Sequence, residues 1–142
     1  MKKLNLNIRG IAIVMVVFTV SCSSRETRLN SESARCGNNM VAMGFALRMW
    51  ADDHDGRWPA NWLAISNELG SPQLLICPGA RSSASPTNWA SFDATKCSYL
   101  LTGSGTVELA RDQIIASCKI HGHLLYGDDT VFDGKVRRRK IP

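Results

Sequence analysis

The sequence has little of what a catalytic centre is built from. It has no Gly-x-Ser-x-Gly elbow, no phosphate-binding glycine loop and no His-Glu-x-x-His helix. Those patterns supply an exposed nucleophile, a phosphate cradle and a metal-bound water respectively. Thr102-Gly-Ser-Gly105 has the glycines of a phosphate loop but no lysine after it. The chain also lacks a membrane-spanning run. Ile11 to Val20 is a ten-residue apolar stretch, about half of the roughly 20 residues a helical span needs. Finally, it lacks a basic face. The formal charge of +5 owes much to Lys2, Lys3 and Arg9 at one end and Arg137, Arg138, Arg139 and Lys140 at the other. Without these seven cations, 10 basic residues stand against 12 acidic ones. Such a body offers nothing to a phosphate backbone, so no nucleic-acid partner is expected.

What is present begins with an export pattern. A basic start, the short apolar run and Ser21-Cys22 read as a signal peptide over residues 1–21. Phe18-Thr-Val-Ser-Cys22, followed by Ser23-Ser24, resembles a bacterial lipobox, in which the cysteine becomes the lipidated first residue. Cys22 is therefore the expected lipidation site. The expected location is the cell envelope, anchored by lipid and facing the periplasm or the exterior. Residues 22–30 are polar and read as a tether, and 31–142 as one globular domain.

Export bears on the other four cysteines, Cys36, Cys77, Cys97 and Cys118. In an oxidising compartment four thiols suggest two disulfides, with three possible connectivities. Cys77 and Cys97 flank a loop rich in Ser, Pro and Ala. Closing a loop of that size contributes about 3 kcal/mol in the chain-entropy account. That pairing would leave Cys36 for Cys118. An even count leaves no free thiol for Cys–His hydrolysis, so no catalytic residue and no cofactor is expected.

The domain reads as α+β. Asn30 and Ser31 are good helix caps, and Cys36, Met40, Met43, Leu47 and Trp50 recur at helical spacing, with Gly44 on the same side. A second helix is expected over Asn61 to Leu69, stopped by Gly70, and a brief extended piece over Gln73 to Ile76. Residues 78–95 read as a long loop. Short strands are expected at 98–102, 113–118, 123–126 and 130–132, with a turn at 102–106. Helix first and strands afterwards argue a helix packed on a small antiparallel sheet.

Two places could carry metal chemistry. Asp52-Asp-His-Asp55 is the first. Aligning Gly56 with the invariant glycine of a calcium loop puts Ala51 and Trp62 at the end ligand positions, and both fail, although Asp53 and Asp55 fit. The simpler reading is a helix end and a turn, with Gly56 free to take positive φ and Pro59 barring further helix. The second is Cys118-Lys-Ile-His121-Gly-His123, a thiol and two imidazoles suited to zinc or copper. Strand alternation would separate Cys118 from His121 and His123. The simpler reading is a disulfide cysteine beside turn histidines. Trp50, Trp58, Trp62 and Trp89 read as core and rim packing.

Three blocks together resemble a known family. They are Ala34-Arg-Cys-Gly-Asn-Asn-Met40 running through Gly44 and Trp50 into Asp53, Asp55, Gly56 and Pro59; Leu75-Ile-Cys-Pro-Gly79; and His123, nine residues, then Asp133-Gly134. This is similar to the soluble part of prepilin-like proteins with a terminal His-x9-Asp-Gly motif, relatives of the type II secretion major pseudopilin. The resemblance covers about residues 34–136. It implies a pilin-like fold and a non-enzymatic envelope protein working through contacts with secretion or pilus-type machinery. Some pseudopilins bind calcium nearer the C-terminus, which here would implicate Asp128, Asp129 or Asp133; these read more simply as turn residues. Arg9-Gly10 is followed by Ile11, the fifth position would be Met15, and the apolar run stops at Val20. The family's long bundling helix is thus missing from the pattern, and filament assembly is not expected.

Overall fold

Cys36, Met40, Met43 and Leu47 are each fully buried and lie on one stripe of a helix. That helix, α1, runs Ile8–Asp52 in the computed structural model, which describes residues 8–81, 85–102, 111–134 and 137–138. The side chains of 8–24 and 137–138 are outside that description. The chain divides into two units, 1–31 and 32–142. The first contributes helical backbone from Ile8 onward, so the expected tether over 22–30 is helical too. The absence of Pro and Gly from residues 11–36 removes the usual reasons for a helix to stop there. Of the signal-peptide reading, residues 1–7 and the Cys22 side chain fall outside the described part. No helix among the described residues is long and apolar enough to cross a membrane.

The second unit is α+β, as expected: the helix stripe packs with a small antiparallel sheet. The sheet is a meander of β1 (Tyr99–Leu101), β2 (Ile114–Cys118), β3 (Leu124–Tyr126), β4 (Val131–Phe132) and β5 (Arg137–Arg138), in that spatial order. Tyr99 pairs with Cys118, and Leu125 with both Ala116 and Val131. Ile115, Ala116, Leu125 and Val131 turn into the core that receives α1. Gly44 permits the closest approach. A Cβ there would lie 3.3 Å from both Leu125 Cδ1 and Asp129 Oδ1. Arg48, one turn on, clamps the β3–β4 turn. Its Nε donates to Asp129 at 2.9 Å and a terminal nitrogen donates to the Gly127 carbonyl at 2.8 Å.

The connecting segment differs from its sequence reading. Only Ser66–Leu69 is α-helical (α2), preceded by turns; Gly70 stops it at φ +71°. Pro72–Leu75 forms a 3-10 turn rather than an extended piece, with Ser71 capping it through its hydroxyl. Proline at the first helical position favours that outcome, since its fixed φ suits a turn. Trp89–Ser91 and Ala94–Lys96 add two more 3-10 turns inside the expected loop. The expected turn at 102–106 lies outside the described residues beyond Thr102, and β5, unforeseen, follows the Asp133-Gly134 turn.

Candidate metal centre

The acidic loop and the cysteines part company in three dimensions. Asp52, Asp53, His54, Asp55 and Gly56 are all exposed. Their bonds are local: the amides of His54 and Gly56 donate to the Ala51 carbonyl at 3.0 and 2.9 Å. Asp55 and Gly56 take positive φ, 54° and 74°, and turn the chain away from the helix. The His54 ring stacks on Trp50 at 3.7 Å, and its Nδ1 lies 2.6 Å from the Trp50 carbonyl. Trp58 and Pro59, immediately after, are buried. The segment ends a helix and sends the chain into the core.

The cysteines do the opposite. Cys36 on α1, Cys77 after the Pro72–Leu75 turn, Cys118 at the end of β2 and His121 in the β2–β3 turn bring one donor atom each to a common point. All four donor atoms lie within 4.8 Å of one another. A tetrahedral ion with metal–sulfur bonds of about 2.3 Å has corners about 3.8 Å apart, so the cluster is the right size for one. The three sulfurs are buried, and His121 is half-buried.

Two turns present these donors with their amides aimed at sulfur. In Cys77-Pro-Gly79 the Gly79 amide donates to Cys77 Sγ at 3.4 Å. In Cys118-Lys-Ile-His-Gly122 the amides of Ile120 and His121 both donate to Cys118 Sγ at 3.4 Å. Gly122 closes that turn at φ +69°, its amide bonded to the Cys118 carbonyl at 3.0 Å. Amide donors stabilise thiolate over thiol. The Cys118 thiol is accordingly pulled down to about 5, chiefly by a hydrogen bond from Cys36 and then by the His121 and Ile120 amides, against desolvation. Cys36 moves far up as the proton-bearing partner, and burial moves Cys77 up.

The His121 ring is fixed on both sides. Its Nδ1 faces Cys77 Sγ at 3.1 Å. Its other edge lies over Gly79, where a Cβ would come within 2.9 Å of Cε1 and 3.1 Å of Nε2. This arrangement recasts the expected Cys118, His121 and His123 set. Cys118 and His121 do converge, because residues 119–123 form a turn and strand alternation does not apply. His123 instead sits 2% exposed beside α1, its Nε2 3.1 Å from Ser33 Oγ. Its ring is 5.4 Å from that of His121, inclined by 27°.

The four cysteines are free thiols. Cys36 and Cys118 do meet, as the expected pairing required, but Cys77 is a third member of the group. Cys97 turns the other way, towards the carbonyls of Tyr99 and Leu75. Sequence reasoning missed Cys36 and Cys77 as fellow donors. The signals were the glycines at Cys-Pro-Gly and Cys-x-x-His-Gly, which mark tight turns able to bare a donor. Among the described residues this is the one group of three or more His, Cys, Asp or Glu placed to share an ion. Of the residues that carried the resemblance, His123 is buried in this neighbourhood, and Gly134 takes φ +82° before β5. No protein-family model, curated protein or solved structure matches the chain.

Proposed function

We propose that this chain is a non-enzymatic metal-binding module, and that Cys36, Cys77, Cys118 and His121 hold one thiophilic divalent ion. The convergence of three sulfurs and an imidazole nitrogen within 4.8 Å carries this reading. Four protein donors complete a tetrahedron and leave no position for water or substrate, which is the pattern of a structural site. The ion would tie α1 to the sheet and to the Cys77 turn, three segments far apart in sequence. The test is metal content of the full-length protein purified under reducing conditions without chelator. One zinc per chain is expected; none, together with no uptake on titration, overturns the reading.

A second reading concerns setting, and it competes with the first wherever export oxidises the thiols. The lipobox-like Cys22 and the three blocks that resemble prepilin-like proteins favour an exported, lipid-anchored envelope protein that contacts secretion or pilus-type machinery. The helix packed on an antiparallel meander supports it at the level of fold class. Labelling with a fatty acid is expected on the wild-type chain and not on Cys22→Ser. An unlabelled wild-type chain removes the anchor.

A further inference from the structure

A pair of imidazole rings lies beside the sulfurs. Soft thiolates alone serve copper(I) as well as zinc, and copper(I) is content with sulfur ligands. Zinc takes a fourth donor, and imidazole nitrogen suits it. Whether this is a zinc site therefore turns on His121, the one half-buried ligand, and on what keeps its ring in place.

Three contacts do so. Gly79 leaves room for the Cε1–Nε2 edge, which any side chain would push away. The His123 ring lies against that of His121 at 5.4 Å. Ser33 holds His123 from the helix side at 3.1 Å, one turn before the ligand Cys36. The result is a layered support running from helix to ligand. Groups behind a metal ligand commonly alter affinity by about 10- to 100-fold.

Resting on the metal reading above, we propose that Gly79, His123 and Ser33 are positioning residues that hold His121 Nδ1 at the ion, and that they raise the site's zinc affinity relative to copper(I). Gly79 also donates its amide to Cys77 Sγ and Ser33 shares α1 with Cys36, so His123, just before β3, is the support whose loss leaves the sulfur-bearing elements intact. Loss of the His123 ring should thus weaken the nitrogen-dependent ion and spare the sulfur-dependent one.

The test uses the full-length reduced chain and measures zinc(II) and copper(I) affinity by competition with chromophoric chelators. Cobalt(II) absorption reports the donor set. Gly79→Ala and His123→Gln are each expected to lower zinc affinity about tenfold or more, in line with outer-shell changes elsewhere. In His123→Gln copper(I) affinity should stay within about threefold, and the cobalt bands should shift as nitrogen is lost. His123→Phe, which keeps a ring for stacking but loses the bond to Ser33, should recover part of the zinc affinity lost in His123→Gln. In His123→Gln, equal losses for both ions, or unchanged zinc affinity with unchanged cobalt bands, overturn the proposal. If Gly79→Ala does not fold, the two His123 variants decide alone. If the wild-type chain binds neither ion, the metal-binding reading itself falls, an outcome distinct from bound ions without selectivity.

Discussion

The acidic turn at 52–55 and the cluster around Cys118 carry similar numbers of ligand-type residues, and they have opposite fates. The first packs its donors into four consecutive positions, all exposed. Consecutive residues in a turn point in divergent directions, and water solvates each at little cost. The second draws donors from residues 36, 77, 118 and 121, three of them buried. Burial without solvent is what makes polar atoms seek partners. Local density of ligand residues in a sequence is therefore a poor guide here, and convergence from distant segments is the better one.

The strongest way to break this contrast is to remove a sulfur. Cys118→Ser is expected to abolish zinc binding measured by equilibrium competition. With it goes the stabilisation a bound ion confers on the folded state, about 4 kcal/mol when free metal is a thousandfold above Kd. Chelator added to the wild-type protein should lower the thermal midpoint likewise. A variant that still binds zinc normally would show that the cluster does not hold the ion.

A buried acid sharpens the contrast from another side. Asp129 has its side chain 3% exposed and accepts from Arg48 at 2.9 Å, unlike the acids of the turn. Arg48 is itself 42% exposed, so water screens the pair. Asp129→Ala should cost about 2–3 kcal/mol, below the full range for breaking a buried pair. Urea unfolding measures it, and a change under about 0.5 kcal/mol would place Asp129 with the surface acids.

Parts of this contrast were legible in the sequence and parts were not. The helix stripe was legible because Cys36, Met40, Met43 and Leu47 repeat at the helical period, and the core is built on that repeat. The strands were legible from short β-prone runs between turns. The wide 61–69 helix was not, since Asn61 to Leu63 spend their bonds in turns and only Ser66–Leu69 closes helically. Of the metal centre, the Cys118 and His121 half was visible because it is local. Cys36 and Cys77 were hidden, because their meeting depends on how the helix crosses the sheet. Pairing cysteines two by two also obscured a group of three.

Acidity probes the same cluster in metal-free protein. Cys118 falls from the ordinary 9.0 to about 5, held as thiolate first by Cys36 and then by the two amides. A depressed folded-state value means the stabilisation is complete above the unfolded value and lost as pH falls through the folded one. Stability in chelator should therefore rise from about pH 5 to about pH 9. Above that it should decline, because the raised Cys36 resists giving up its proton. Denaturant midpoints across that range read the slope. Cys36→Ala removes the S–H donor and should flatten it. A flat wild-type profile would mean that the thiols do not share a proton.

The smallest effect belongs to the turn itself. In Asp53→Asn and Asp55→Asn the charge goes while the side chain keeps its size and its tolerance of left-handed backbone, which Asp55 needs at φ 54°. Both residues are exposed, and neither belongs to the group that shares an ion. Three acids also sit at a helix C-terminus, where the dipole disfavours negative charge. Neutralising two of them should raise stability slightly, by less than about 0.5 kcal/mol at low salt, with less effect at high salt. Metal stoichiometry should be unchanged. Thermal midpoints at two ionic strengths test the first point, and elemental analysis tests the second. If the double variant lost an ion or fell markedly in stability, the turn would be a site after all, and the two regions would differ in degree rather than in kind.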